Sequence, residues 1–357
     1  MSPDPAAAGA PVRLGPISTA VPPHALDQEA VRSRARTLFQ DTDGGVERLM
    51  PVFDNAGISR RYSCVPLSFY GREIGWKERN GLYERHALDL LEQAAADCLA
   101  RAGLGAADID AVVCVSTTGI ATPSLDARLL NRLPLRPDVE RLPVFGLGCC
   151  GGVLGLNRAA AMASARPGRR VLLLVVELCA LTFRPGDLSK SHVVATALFG
   201  DGAAAALVSS HPDDAGVPLT GWGEHTWPDS LDVMGWTVED DGLGVLFSRD
   251  IPRLVERDLG AAVDGFLSRH GVTRGDLAAT ACHPGGAKVI AALERLFGYP
   301  NGGMEAARAV LAGYGNMSAP TVLFVLQRVL AEAPDGPVLA SALGPGFSAG
   351  FTLIEPA

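Results

Sequence analysis

The chain reads V-F-G-L-G-C-C-G-G-V-L-G-L-N-R over residues 144–158, where an apolar segment passes through glycines into a helix-prone run. Residues 154–165 are rich in alanine and predict a helix directly after the two cysteines. A thiol on such a bend lies close to the partial positive charge of a helix N-terminus. We therefore expect a lowered pKa at Cys149, which would make it a nucleophile at neutral pH. The alternative is that Cys149 and Cys150 are small, buried and inert, as free cysteines usually are.

Strand and helix signals alternate along the rest of the chain. Predicted strands cover residues 12–20, 109–115, 142–145, 170–176 and 203–209, and then residues 219–227, 243–248, 278–282, 338–342 and 349–354. Because unbroken apolar strands need helices on both faces of a sheet, this alternation predicts an α/β fold made of two related halves. We expect the halves to span residues 1–212 and 213–357, divided at the Pro/Asp/Gly segment 211–218.

Composition excludes several classes of protein. The 357 residues carry a net charge of -8, which argues against broad nucleic-acid binding and against a polybasic membrane anchor. No apolar run approaches the roughly 18 residues of a membrane span. The seven cysteines are scattered without a C-x-x-C pair, so neither a disulfide framework nor a zinc site fits. We therefore expect a folded cytoplasmic protein with reduced thiols and no bound metal.

Two further polar residues stand next to predicted elements of the second half. His283 follows an apolar strand and precedes Pro-Gly-Gly, a turn that lets the backbone approach a ligand closely. Asn316, in Y-G-N-M-S, precedes an apolar helix, where it is either a helix N-cap or an amide donor. A thiol, an imidazole and an amide together would form an oxyanion-binding set. The remaining histidines stand in polar sequence and are predicted to be solvated: His24, His86, His192, His211, His225 and His270.

Five motifs along the chain resemble those of one enzyme family. They are G-C-C-G-G, A-L-F-G-D-G-A-A-A (197–205), C-H-P-G-G (282–286), Y-G-N-M-S (314–318) and L-G-P-G (343–346). They stand in the order seen in type III polyketide synthases, the chalcone-synthase family of the thiolase superfamily, and the resemblance runs from about residue 12 to the C-terminus. It implies a thiolase-like fold, a layered αβαβα core and a homodimer.

The resemblance also implies roles for individual residues. Cys149 resembles the nucleophile that holds the growing chain as a thioester, and Cys150 occupies the non-catalytic position after it. His283 and Asn316 resemble the pair that binds the thioester carbonyl oxygen during malonyl decarboxylation, with His283 also keeping Cys149 ionised. Phe199 resembles the gatekeeper aromatic between the CoA tunnel and the reaction cavity; the alternative is a core phenylalanine.

Cavity and CoA contacts follow from the same resemblance. Its cavity positions map onto Thr117, Thr182, Val245 and Ser318, and Thr122 falls where a residue of the partner subunit enters the cavity. The matching CoA-binding positions are Arg48, Gly286 and Ala287. Two basic residues of the family's phosphate contacts are replaced by Pro51 and Asn55. An acyl carrier protein is therefore an alternative source of the starter.

The expected reaction is decarboxylative condensation of malonyl-CoA with an acyl-CoA starter, with no metal or redox cofactor. Residues 234–252 resemble the bacterial branch that makes alkylresorcinols and alkylpyrones, which implies a medium- or long-chain fatty acyl starter. Two alternatives stay open. One is a 3-ketoacyl-carrier-protein synthase of the initiating type, which performs a single condensation, and the other is a catalytically silent acyl-binding homologue.

Overall fold

Thirteen strands and eleven α-helices, joined by loops and short 3₁₀ or π-helical turns, lie in the described part of the computed structural model, which covers residues 10–40, 46–248, 250–299 and 302–356. The strands are β1 (Val12–Ala20), β2 (His24–Asp27), β3 (Arg60–Ser63), β4 (Ala111–Val115), β5 (Glu140–Val144), β6 (Arg170–Leu178), β7 (Asp201–Ser209), β8 (Val217–Thr226), β9 (Met234–Glu239), β10 (Gly242–Phe247), β11 (Ala279–Cys282), β12 (Val338–Gly344) and β13 (Ser348–Ile354). The helices are α1 (Gln28–Leu38), α2 (Pro51–Asp54), α3 (Trp76–Ala102), α4 (Leu125–Leu129), α5 (Gly151–Ser164), α6 (Lys190–Leu198), α7 (Ile251–Leu254), α8 (Gly260–Ser268), α9 (Ala287–Phe297), α10 (Glu305–Tyr314) and α11 (Thr321–Ala331).

Nine of these strands form one sheet in the order β11-β12-β13-β8-β1-β7-β6-β4-β5. In the first half β1 is antiparallel to β7, β7 is antiparallel to β6, and β6 is parallel to β4. The second half repeats this arrangement, with β8 antiparallel to β13, β13 antiparallel to β12, and β12 parallel to β11. The predicted α/β fold of two related halves is confirmed. The division near residue 212 stays a prediction, because β1 and β8 join the halves into one sheet.

Helices cover the sheet in layers. Alternate side chains of β6 face opposite ways: Val171 and Leu173 pack with α5, while Leu172 and Leu174 pack with α3. Helices α5 and α11 contact each other and strands of both halves. Beyond the second half, Phe266 of α8 stacks on Phe351 of β13 with ring centroids 5.3 Å apart. From one face of the molecule to the other, the layers are α3, the strands of the first half, α5 with α11, the strands of the second half, and α8.

Glycines let the two central helices approach each other at their N-terminal ends. A Cβ added to Gly152 would lie 2.3 Å from the carbonyl oxygen of Ala319, and one added to Gly151 would lie 2.8 Å from Val115. Any side chain there would push α5 away from the residues before α11. Cys149 precedes α5 and Asn316 precedes α11, so this close packing brings the two predicted site residues together.

The sequence patterns located all nine strands of the main sheet but missed β2, β3 and β9. The predicted strand at residues 12–20 is β1 as it stands in the structure, and residues 338–342 and 349–354 lie within β12 and β13. Strand β9 forms a two-stranded sheet with β10, outside the main sheet, and its residues are half-buried or exposed. It therefore lacks the apolar run by which the buried strands were recognised.

Candidate active site

Cys149, His283 and Asn316 line one cavity of about 480 Å³, called the main cavity below. The first residue comes from the turn before α5, the second from the end of β11 and the third from the loop before α11. Residues of α2, α6, α7, α9 and the β9–β10 hairpin complete the wall. The structure thus brings together the three side chains for which catalytic roles were predicted.

Cys149 lies in a helical turn that continues directly into α5. The turn needs glycine at position 148, where φ is +47° and an added Cβ would lie 2.6 Å from Pro345. The backbone N–H of Gly148 also donates to the Thr117 hydroxyl over 3.4 Å. These contacts fix the backbone that carries the thiol, which is 7% exposed.

Burial raises the pKa of the Cys149 thiol to about 11, although hydrogen bonds with the Ser318 and Asn316 side chains act in the opposite direction. The predicted lowering of this pKa was therefore wrong. The helix N-terminus is present, but the free energy needed to remove a thiolate from water exceeds the stabilisation that the helix N-terminus and these hydrogen bonds provide. At neutral pH the sulfur in this structure carries its proton.

His283 is held by its backbone at the end of β11. Its N–H donates to the Ser341 carbonyl oxygen over 2.8 Å. The side chain is 5% exposed, and neither ring nitrogen has a hydrogen-bond partner in the described part of the chain. Burial lowers the pKa of this imidazole to about 4, so it is neutral at neutral pH. A neutral ring cannot keep Cys149 ionised by its charge, and that predicted role is not supported.

Asn316 is fixed by both its backbone and its side chain. Its N–H donates to the Leu198 carbonyl oxygen over 2.8 Å, and its own carbonyl accepts from the Gly200 N–H over 3.0 Å. The side-chain Oδ1 accepts from the Ser318 N–H over 2.8 Å, which leaves Nδ2 as the donor toward the Gly285 carbonyl oxygen at 3.3 Å. The N-cap alternative is wrong, because α11 begins only at Thr321.

Ser318 adopts a left-handed backbone conformation next to the thiol, with φ +58°. For a residue other than glycine such a conformation costs on the order of 1 to 3 kcal/mol and is common at functional sites. The Ser318 side chain acts to lower the pKa of the Cys149 thiol, against the larger effect of burial. Ser318 is not among the residues that line the main cavity, so its place in the cavity wall stays a prediction.

Phe199 lies between the main cavity and a second cavity of about 50 Å³. Its ring packs edge-on against Trp236 and tilted against Phe247, with centroids 6.0 and 5.7 Å apart. Phe247 lines the main cavity, whereas Phe199 and Thr182 line the second cavity. Val245 also packs against this aromatic cluster, and the role of Phe199 as a gate stays a prediction.

Arg61 holds the end of α6 in place, and this role was missed. Its guanidinium donates to the carbonyl oxygens of Thr196 at 2.7 Å, Ala197 at 2.6 Å and Phe199 at 3.0 Å. A cation at a helix C-terminus satisfies the last carbonyls and complements the helix dipole. Arg60 is exposed while Arg61 is buried, and burial lowers the pKa of Arg61 to about 10. Alternation along β3 is the signal that distinguishes the two arginines.

Two buried titratable residues also escaped the sequence analysis. Glu177 ends the apolar run of β6, and its Oε2 accepts from the Thr117 N–H at 3.0 Å and the Thr118 hydroxyl at 2.8 Å. Burial raises the pKa of Glu177 to about 7. His192 was predicted to be solvated, but it is 1% exposed and packs against Phe183 in the wall of the second cavity. Burial lowers its pKa to about 4.

The remaining predicted residues fall into two groups. Gly286 and Ala287 line the main cavity, at the start of α9. Thr117 is buried and does not line that cavity, and its place in a reaction cavity stays a prediction. Thr122 and Arg48 are exposed and also stand outside the cavity wall of their own chain.

Alkylation of Cys149 by iodoacetamide should become about tenfold faster with each pH unit between about pH 6 and pH 9, because the thiolate reacts and the thiol loses its proton near pH 11. Rates would be followed by intact-protein mass spectrometry, with Cys149→Ser as the background for the other cysteines. A rate independent of pH over this range would mean that the thiolate already exists at neutral pH and would contradict the prediction.

Comparison with known proteins gives matches over nearly the whole chain. Residues 5–212 match the family "Chalcone and stilbene synthases, N-terminal domain", and residues 223–353 match "Chalcone and stilbene synthases, C-terminal domain". A 1,3,6,8-tetrahydroxynaphthalene synthase of Streptomyces peucetius subsp. caesius is 38% identical, over 95% of this chain and 92% of its own. A 3,5-dihydroxyphenylacetyl-CoA synthase of Amycolatopsis balhimycina is 29% identical, over 86% of this chain and 85% of its own.

Solved structures extend the match to the fold. The crystal structure of the 1,3,6,8-tetrahydroxynaphthalene synthase of Streptomyces coelicolor A3(2), a bacterial type III polyketide synthase, superimposes with a TM-score of 0.91 at 29% identity. The superposition covers 96% of this chain and 99% of that one. The predicted resemblance is thereby confirmed.

Proposed function

The chain belongs to the chalcone and stilbene synthase family of type III polyketide synthases, and we propose that it takes a medium- or long-chain acyl-CoA as its starter. It loads the acyl group on Cys149 and extends it with malonyl-CoA. The product then closes into an alkylpyrone or an alkylresorcinol. No metal or redox cofactor is needed, because each step forms or breaks bonds to carbonyl carbons.

Loading is an exchange of thioesters. The Cys149 sulfur attacks the acyl-CoA carbonyl carbon, its proton passes to the unpaired imidazole nitrogen of His283, and an oxyanion forms. The bond to the CoA sulfur then breaks, and that sulfur takes the proton. The thiol proton must pass to His283 while the acyl-CoA is bound, because Cys149 and His283 are both neutral before the substrate binds.

Extension begins with malonyl-CoA. The bond between its carboxylate and methylene carbons breaks, carbon dioxide leaves, and the electron pair forms an enolate with its charge on the thioester oxygen. The Asn316 amide and the His283 ring N–H can donate to this oxygen. The enolate carbon attacks the Cys149 thioester, and the sulfur leaves as the new carbon–carbon bond forms.

One observation carries this proposal: Cys149, Asn316 and His283, whose ring nitrogens have no partner in the described part of the chain, line the same cavity. Because His283 is buried and neutral, it offers a hydrogen bond without adding a charge of its own. The cavity wall between these groups and the surface is mostly apolar, which protects an enolate from water.

The apolar wall of the second cavity supports a fatty starter, and a long alkyl chain would have to widen this cavity beyond its volume of about 50 Å³. Beyond Phe199 its wall includes the apolar side chains of Leu26, Val31 and Leu38, against which an alkyl chain can pack. Each methylene group buried in this way contributes about 0.8 kcal/mol. A starter held on Cys149 would reach this cavity by displacing the Phe199 ring.

An exposed apolar groove supports a homodimer. Ile120 is 54% exposed and Phe145 62% exposed, and both line the same groove at edge strand β5. Apolar side chains of this size at a sheet edge are typical of a surface that another chain covers. Thr122 is close in sequence to this groove, as it should be if it enters the partner's cavity.

Product analysis tests the starter. The enzyme would be incubated with malonyl-CoA and acyl-CoAs from acetyl-CoA to palmitoyl-CoA, and the products identified by mass spectrometry. We expect alkylpyrones or alkylresorcinols from the longer starters. Thr182→Phe should fill the second cavity and move the preference toward shorter chains, with the total rate of CoA release on short starters unchanged.

Three outcomes would contradict this assignment. Products formed only from aromatic starters would exclude a fatty acyl substrate. A product without an alkyl chain, such as the 1,3,6,8-tetrahydroxynaphthalene in the name of the Streptomyces peucetius relative, would mean that this protein shares the activity stated in that name. A single extension product would favour the ketoacyl synthase alternative.

A further inference from the structure

Lys288 is unusual both in type and in position. The chain contains three lysines, Lys77, Lys190 and Lys288, and relies on arginine for its other cations. Lys288 is exposed in the first turn of α9 and lines the main cavity. Among the described lining residues it is the one with a charged side chain at neutral pH, and no carboxylate accompanies it.

The start of α9 concentrates positive charge at this point. Its N-cap is Gly286, which supplies no side-chain acceptor, and no acidic residue lies in its first turn. A lysine there opposes the helix dipole, so the placement costs stability unless an anion is bound. A residue that departs from the usual charge preference of a helix start is expected where function requires that residue. Free backbone N–H groups at a helix start bind anions such as phosphate.

The part of the cavity wall that comes from α2 and the residue after it offers no such charge. Pro51 and Asn55 line the cavity there, and neither carries a charge. At the buried end of the same cavity, the His283 ring is unpartnered in the described part of the chain. The main cavity therefore has a cation at its exposed end, apolar side chains between, and reacting groups inside. This layout fits a long thioester with phosphates at one end.

We propose that Lys288, with the N-terminal N–H groups of α9, binds the phosphate groups of the CoA thioesters that enter the main cavity. The inference rests on the proposed function and names the contact that holds the phosphate end of the CoA substrates. Lys288 supplies the cation that Pro51 and Asn55 do not. An acyl pantetheine, which has no phosphate, would pass the same residue without this contact.

Calorimetric binding to the full-length protein tests the contact without requiring turnover. Lys288→Met should raise the Kd of CoA about tenfold, the loss of one charge-assisted hydrogen bond. The Kd of pantetheine, which lacks phosphate, should not change. Dephospho-CoA, which lacks the 3′-phosphate, shows which phosphate group Lys288 contacts. If Lys288→Met raises the Kd of dephospho-CoA less than that of CoA, the contact is with the 3′-phosphate. If the two Kd values rise equally, the contact is with the diphosphate.

Two matched variants control for the loss of a positive charge. Lys190→Met removes a lysine from the first turn of α6, where Ser189 caps the helix and the side chain stands outside the cavity wall. Lys77→Met removes the third lysine from the exposed start of α3. Both should leave the Kd of CoA within about twofold of that of the wild type, because long-range effects of surface charges are screened.

Three results would overturn the inference. These are an unchanged Kd of CoA in Lys288→Met, an equal loss of pantetheine binding, and an equal loss of CoA binding in Lys190→Met. Failure of the proposed function would be seen separately, since a wild-type protein that binds CoA through Lys288 but forms no polyketide product would retain this contact and lose the assigned reaction.

Discussion

Cys149→Ser should lower acyl transfer by roughly 10⁴-fold to 10⁶-fold, the range seen when the nucleophile of a hydrolase is removed. A hydroxyl is less acidic than the thiol, and an ester on serine is a poorer acyl donor than a thioester. The measurement is the mass of the intact protein after brief incubation with an acyl-CoA. We expect the wild type to gain the mass of the acyl group and the variant to gain none.

Cys150→Ser is the matched control for this variant. The two thiols are adjacent, but the Cys150 sulfur donates to the Ala342 carbonyl oxygen at 3.3 Å and is buried against β13. Burial raises the pKa of Cys150 well above its usual range. This variant should therefore still become acylated at Cys149. An acyl group found on the Cys150 peptide, or acylation of Cys149→Ser at the wild-type rate, would show that Cys149 is not the nucleophile.

Strand positions could be predicted where a strand is buried on both faces. Strand β6 is an unbroken apolar run, and its two faces pack against α5 and α3, so composition alone identifies it. The pairing of β1 with both β7 and β8 could not be predicted, because it joins residues about 200 positions apart. Strand β9 was missed for the opposite reason, since little of it is buried.

The parts of the site that could be predicted are the turns that neighbouring residues in the sequence determine. Glycine turns beside Cys149 and His283 are visible in the sequence, and so is the loop that carries Asn316. Burial is not local, and it caused the errors. The pKa of Cys149 is raised rather than lowered because distant segments close over it. The burial of Arg61 and of His192 was not visible in the sequence, because their partners Thr196 and Phe39 lie more than a hundred positions away.

Asn316→Leu should lower the rate of carbon dioxide release from malonyl-CoA by about 10²-fold to 10³-fold, the usual loss when one oxyanion donor is removed. Leucine keeps the size of the side chain but removes the Nδ2 donor. It also leaves the Ser318 N–H without the Oδ1 acceptor, which costs about 1 to 3 kcal/mol of stability. Rates must therefore be compared at equal folded fraction, determined from thermal melts.

Asn157→Leu separates the lost donor from the lost stability. Asn157 is as deeply buried as Asn316, and its amide bonds the Gly223 and Phe351 carbonyl oxygens and the Thr352 hydroxyl, away from the main cavity. This control should unfold at a lower temperature yet release carbon dioxide at nearly the wild-type rate per folded molecule. Equal losses of rate in the two variants would mean that Asn316 shapes the loop before α11 and does not bind the oxyanion. A large loss confined to Asn316→Leu would require that its amide acts on the reacting thioester.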